Sequence, residues 1–175
     1  MRQIKTLTNN KFLNIKEVVD PEHHVSGYQF AERRGVDSIA FICYDSSTNE
    51  LLLNNEYKPP TNEMVLGAFG GSLDKDVNKM DIVIGEVREE AGFEVTEDDV
   101  VELGKMFVST QMNQYCYLYL VYVFKSEQKD RQPENAVEAL ATTQWIYNDL
   151  DVFNGIEDWK AITIIAKSEN QGLIK

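Results

Sequence analysis

Gly70-Gly71 and Gly92 bracket a segment that reads as bend, helix, bend, and this constrains the chain more than any other feature. The apolar run Met64-Val65-Leu66 and Phe69 leads into the glycine pair. After it, Met80, Val83, Ile84 and Val87 recur at helical spacing and predict a helix over 78–91. Gly92 follows where a left-handed C-cap suits glycine. That helix carries Glu86, Glu89 and Glu90 at i, i+3 and i+4. Residues so spaced are neighbours, with Cβ atoms about 5–6 Å apart, and like charges there repel by about 0.2–0.5 kcal/mol per pair. The cluster has two readings. One is a solvated face on an acidic protein. The other is a set of hard oxygen ligands for Mg²⁺ or Mn²⁺, whose charge offsets the repulsion.

The rest of the chain reads as a sheet with one more helix. A short strand and turn precede Asp20-Pro21, and Val25–Ala31 is a strand that Gly35 breaks. Val36–Tyr44 is apolar and β-branched, as a buried strand requires. The turn residues Asp45–Asn49 return the chain as Leu51–Tyr57, and Pro59-Pro60 ends that ladder. Residues 64–69 form a short strand, and further strands follow within 94–110. Tyr115–Phe124 alternates tyrosines against Cys116, Leu118 and Leu120 and is the strongest strand signal. Residues 126–135 are polar, Thr143–Tyr147 is a short strand, and Asp158–Lys167 suits a C-terminal helix. The mixture fits the α+β class: an α/β/α sandwich with a mixed β-sheet flanked by helices. Residues 1–175 are expected to form one domain.

Charge and cysteine content narrow the function classes. A net charge of −12 argues against attraction to nucleic acid or an anionic membrane. No stretch approaches the ~20 apolar residues of a membrane span, and Met1–Thr6 leads into no run of signal-peptide length. Cys43 and Cys116 lie in apolar segments without disulfide or metal-type spacing, which points to a reduced, cytoplasmic setting.

The order of these residues resembles the Nudix hydrolase family. Its signature is Gly, five residues, Glu, seven residues, Arg-Glu, an aliphatic residue, any residue, Glu-Glu, any residue, Gly and an aliphatic residue. Laid on this chain from Gly71, the second half matches at Glu86-Val87-Arg88-Glu89-Glu90-Ala91-Gly92-Phe93. The first signature Glu is Val77 here and the signature Arg is Gly85. In the family those two side chains pair and brace the loop. Losing both together strands neither charge, so the resemblance implies a metal site in a box braced differently. Upstream, Arg33-Arg34-Gly35-Val36-Asp37-Ser38-Ile39-Ala40-Phe41, then Leu51-Leu52-Leu53, then Glu56-Tyr57-Lys58-Pro59-Pro60 look like the ADP-ribose pyrophosphatase branch. A Ser-Pro-Gly motif frequent in that branch is replaced here by Ser109-Thr110-Gln111-Met112-Asn113.

The resemblance implies hydrolysis of a nucleoside diphosphate derivative, foremost ADP-ribose or a related nucleotide sugar. Water attacks a phosphorus of the bridge and two phosphate monoesters leave. Mg²⁺ or Mn²⁺ would neutralise the phosphoryl oxygens and acidify bound water. Glu86 and Glu90 are the first-choice ligands, with Glu89 bridging or serving a second ion, and the carbonyl of Gly70 is implied as another. The general base is an acid from the loop before Trp145, Glu138 or Glu134, with Glu138 at the better matching offset. Arg34 and Lys58 match positions that hold phosphate or terminal ribose, against the alternative of surface solubility. Tyr57 offers a ring for base stacking, against the alternative of core packing. A homodimer is implied, with residues about 1–35 as the dimerising strand region. The competing reading is a catalytically weak nucleotide-binding module, which Val77 and Gly85 favour. Cleanup of triphosphates or dinucleoside polyphosphates is disfavoured by the Arg-Gly and Tyr-Lys-Pro features.

Overall fold

The computed structural model describes residues 1–33, 37–73, 76–133, 136, 138–149 and 151–175. Arg34 and Glu134 lie outside the described residues. The main sheet is built around β4 (Ser38–Asp45) and β9 (Tyr115–Tyr122), which run parallel with Ile39 opposite Tyr117 and Tyr44 opposite Tyr122. Adding β5 (Glu50–Lys58), β8 (Val100–Phe107) and β10 (Thr142–Tyr147), all antiparallel to their neighbours, gives the order β10-β5-β4-β9-β8.

Alternation along β4 explains why a helix covers each face. Ile39, Phe41 and Cys43 pack with Leu52, Phe69 and Tyr119 beneath Val83 of α1 (Lys79–Glu86). Ala40, Ile42 and Tyr44 point the other way and pack with Leu51, Leu53 and Leu118 beneath Ile164 and Ile165 of α2 (Trp159–Asn170). A strand buried on both sides has no polar face, so it reads as a continuous apolar run. Each fully buried aliphatic or aromatic side chain in these layers contributes about 1.5–3 kcal/mol. The result is the expected α+β architecture, a mixed sheet between two helices. No helix among the described residues is long and apolar enough to cross a membrane.

The two central hairpin strands do not stay together. β5 pairs with β4 only where Glu50–Leu52 face Cys43–Asp45. Beyond that, β7 (Phe69–Ser72) takes the place beside Ser38–Phe41. The outer half of β5, Asn54–Lys58, pairs instead with β6 (Glu63–Gly67). The single strand expected over 64–69 is therefore two strands that part at Ala68. Gly70 and Gly71, expected at a bend, are extended within β7. They are needed for close approach rather than for turning. A Cβ on Gly70 would lie 2.8 Å from the Ile39 carbonyl oxygen, and one on Gly71 would lie 2.2 Å from Glu86 Oε1.

The N-terminal region holds one strand more than expected. β1 (Gln3–Thr6), β2 (Leu13–Asp20) and β3 (Val25–Arg33) form a separate antiparallel sheet in that order. Ile4, Phe12, Leu13, Val19 and Tyr28 remain exposed on it. It is tied to the main body through the 109–113 loop. Ala31 N–H donates to the Gln111 carbonyl at 2.7 Å, Tyr28 Oη to the Thr110 carbonyl at 2.6 Å and Asn113 Nδ2 to Glu32 Oε2 at 2.8 Å.

Helix α2 is pinned to the strand break by one side chain. Asp158 caps the helix by accepting from Lys160 N–H at 3.2 Å, and its other oxygen accepts from Ala68 N–H at 2.9 Å. Removing the cap costs about 1 kcal/mol. Stranding the buried Ala68 N–H costs a further ~1–3 kcal/mol. Asp158→Ala is therefore expected to lower the unfolding free energy by about 2–4 kcal/mol in a urea titration. An unchanged midpoint would show that Asp158 holds neither element.

Candidate active site

α1 starts on Asn78, whose side chain accepts from Met80 N–H at 3.2 Å, and is a regular α-helix only as far as Glu86. Over Val87–Ala91 it widens into a π turn, closed by Gly92 N–H donating to the Val87 carbonyl at 3.0 Å. Gly92 holds φ at 80°, the expected left-handed cap. The expected unbroken α-helix over 78–91 is not what forms. A π turn adds a residue to the turn, and it divides the three glutamates that a pure α-helix would stack on one face.

Glu86 and Glu90 both address β7. Glu86 Oε1 lies against the Cα of Gly71, where any side chain would displace it. Glu90 is only 8% exposed, and Gly70 N–H donates to its Oε2 at 3.2 Å. In an extended strand the N–H and C=O of one residue leave by the same edge, so the Gly70 carbonyl leaves by the edge away from β4. Burial pushes the Glu90 carboxyl up to about 7, against the pull of the Gly70 N–H. The charges of Glu56 and Glu138 push it further up, and that of Arg131 pulls it down. Four acidic side chains thus bear on β7 and the π turn: Glu56, Glu86, Glu90 and Glu138. Glu89 turns elsewhere. It is held by Arg88 Nη2 at 3.3 Å and lines a hollow of about 220 Å³ with Val77, Asp81, Gly85 and Glu86.

The split between β4 and β5 opens into a second cavity of about 360 Å³. Arg33, Lys58 and Lys160 line it together with Glu56 and Trp159, and Gly70–Ser72 form one wall. Arg33 donates to Ser72 Oγ. Lys58 Nζ sits 2.5 Å from Glu56 Oε2, and Lys160 Nζ sits 3.6 Å from Asp158 Oδ2. Three cations around one cavity stand out in a chain of net charge −12. Grouped cations in a concave wall attract anions.

The residue types suit a hard divalent cation. Glu90 is a buried carboxylate with one N–H donor and acidic neighbours. Asn54 Oδ1, on the same face of β5 as Glu56, is buried with no hydrogen-bond partner among the described residues. An all-oxygen, electron-rich set of this kind fits Mg²⁺ or Mn²⁺ and not a soft metal. Elsewhere, Asp20, Glu22 and His23 have ligand atoms within 4.8 Å of one another. They form an exposed turn, with His23 Nδ1 2.9 Å from Asp20 Oδ2. Among the described residues this is the trio whose ligand atoms lie that close together.

Of the residues singled out in the sequence, Gly70, Glu86, Glu90, Glu138 and Lys58 come together here. Glu89 is one wall removed. Tyr57 leaves β5 on the face opposite Glu56 and Lys58, and its hydroxyl donates to Asn62 Oδ1 at 2.9 Å. Arg33 and Glu56 stand in the upstream pattern without a role of their own, and Lys160 and Arg131 stand in none. Glu56 was within reach, because strand alternation places it beside Lys58. Lys160 and Arg131 are distant in sequence and carry no local signal.

No family model matches the sequence, and no curated protein matches it. A solved structure of an ADP compounds hydrolase shares the fold, with a TM-score of 0.73 at 14% identity. The match covers 98% of this chain and 95% of that one. It places the mixed sheet and its two helices in a known architecture.

The raised Glu90 carboxyl links the site to stability. Between the ordinary value of 4.5 and about 7, the folded state binds more protons than the unfolded state. The protonated group therefore favours folding below that window, and its contribution is lost as pH rises through it. At about 1.4 kcal/mol per pH unit, Glu90→Gln should raise the unfolding free energy at pH 8 by about 2–3 kcal/mol. At about pH 4 it should change little. Urea titrations in a chelator measure both, and an equal gain at the two pH values would exclude this origin.

Proposed function

We propose that the protein is a divalent-metal-dependent hydrolase of the pyrophosphate bond in ADP-ribose or a related nucleotide sugar. One observation carries the reading: the carboxylates of Glu86 and Glu90 bear on Gly70-Gly71 beside a cavity walled by Arg33, Lys58 and Lys160. Acids that gather metal and cations that gather phosphate are thus adjacent in an otherwise acidic chain. The box resemblance and the fold shared with an ADP compounds hydrolase support it.

In this reading Glu86, Glu90 and the Gly70 carbonyl hold Mg²⁺ or Mn²⁺, with Glu89 serving a second ion from the adjoining hollow. Bound there, the ions supply charge neutralisation and an acidified water. Glu138 accepts the proton of the attacking water. Arg33 and Lys58 hold the far phosphate, Arg by a planar fork and Lys as a point charge. Arg34 is retained as a candidate for the same task. Trp159 lines the cavity and is better placed than Tyr57 to stack on a base. Attack on one phosphorus breaks the bridging P–O bond and yields AMP and ribose 5-phosphate. The buried, unpaired Cys43 and Cys116 support a reducing, cytoplasmic setting.

A second reading keeps the binding site without the turnover. Val77 and Gly85 leave the hollow beside Glu86 and Glu89 open, where the family places a brace. A nucleotide-binding module would tolerate that opening better than an enzyme would.

Turnover decides between them. Wild type with Mg²⁺ or Mn²⁺ is expected to release AMP from ADP-ribose, and Glu90→Gln to slow release about 100-fold or more. Calorimetric binding of ADP-ribose without turnover under either metal would establish the module instead. The exposed apolar side chains of the N-terminal sheet support a homodimer joined through that region. Light scattering is expected to give twice the chain mass of 20.0 kDa at micromolar concentration. A monomer would remove that element of the reading.

A further inference from the structure

The last turn of any helix leaves carbonyl groups without helical partners. Here four consecutive ones, at the end of the π turn, are met by a single segment. Gln132 N–H donates to the Glu89 carbonyl at 2.9 Å, and Lys129 N–H to the Gly92 carbonyl at 2.8 Å. Arg131 Nε donates to the Glu90 carbonyl at 2.6 Å, and Gln128 Nε2 to the Ala91 carbonyl at 3.1 Å. Gly92 permits this approach, since a Cβ there would lie 2.3 Å from the Lys129 carbonyl oxygen. The segment is anchored in turn by Trp145 Nε1, which donates to Gln128 Oε1 at 3.0 Å.

Arg131 also reaches beyond the turn, toward Glu138. Its Nη1 donates to the Ala141 carbonyl at 2.5 Å and its Nη2 to the Glu138 carbonyl at 3.3 Å. One rigid guanidinium therefore ties the backbone of Glu90 to Glu138, at the start of its 3₁₀ turn, and to Ala141 just past that turn. A planar fork with fixed donor directions sets a distance as well as a contact. Lysine offers one nitrogen and cannot bridge three carbonyls so spread.

We propose that Arg131 is a positioning residue, fixing Glu138 relative to Glu90 so that the base and the metal ligands share one geometry. This rests on the hydrolase reading above. It makes Arg131 act through Glu138 and not on substrate.

The test is a double-mutant cycle of wild type, Arg131→Lys, Glu138→Gln and the pair, assayed for AMP release with Mn²⁺. Arg131→Lys should lower kcat about 10- to 100-fold, as small misplacements of a reacting group do. KM should move less than about twofold, because substrate contacts are untouched. The pair should be no slower than Glu138→Gln alone, since both changes remove the same function. Two measurements need no turnover. Mn²⁺ affinity from electron paramagnetic resonance should be unchanged in Arg131→Lys, and amide hydrogen exchange over 138–142 should rise while α2 stays protected. Additive losses in the cycle, equal effects on KM and kcat, or unchanged exchange over 138–142 would each overturn the proposal. A wild type that releases no AMP would refute the hydrolase reading instead. The exchange measurement still decides in that case whether Arg131 holds the two segments together.

Discussion

The site exists because β5 cannot follow β4 for its whole length. Both strands are buried on two faces where they pair, and they separate after Leu52. Unpaired backbone in a protein interior is costly, so two short strands, β6 and β7, fill the gap. β7 is squeezed between the Ile39 carbonyl on one side and Glu86 on the other. A side chain at Gly70 would meet backbone, and one at Gly71 would displace the Glu86 carboxylate. The same squeeze exposes the main-chain N–H of Gly70 to the acidic helix, which an ordinary side chain would have screened.

Glu90 shows what this arrangement costs the fold. A carboxylate with a single N–H donor, buried among other acids, holds its proton well above the ordinary range. A carboxyl so perturbed in a cleft is a candidate for chemistry. Glu56 and Glu138 add to the excess, while Arg131 limits it.

Much of the fold was legible because it rests on local pattern. The apolar runs of β4 and β9, the capped C-terminal helix and the left-handed Gly92 all follow from periodicity and turn chemistry. The errors share one cause. Gly70-Gly71 has the composition of a bend, yet its meaning comes from Ile39 and Glu86, contacts that no local window contains. The π turn was hidden likewise, because it is stabilised by the segment from Gln128 to Gln132. Of the acids that bear on β7, Glu86 and Glu90 belong to the i, i+3, i+4 cluster visible in the sequence, while Glu56 and Glu138 come from other elements. The grouping of the cations was not visible there, since Arg33 and Lys160 meet across a cavity from opposite ends of the chain.

Asp158 gives this cavity a particular mechanical character. By holding Ala68 and the first turn of α2 at once, it joins the wall that bears Lys160 to the strand that bears Gly70. One side chain thus serves both sides of the cavity at their base. Loss of that one carboxylate would therefore loosen both walls of the cavity together.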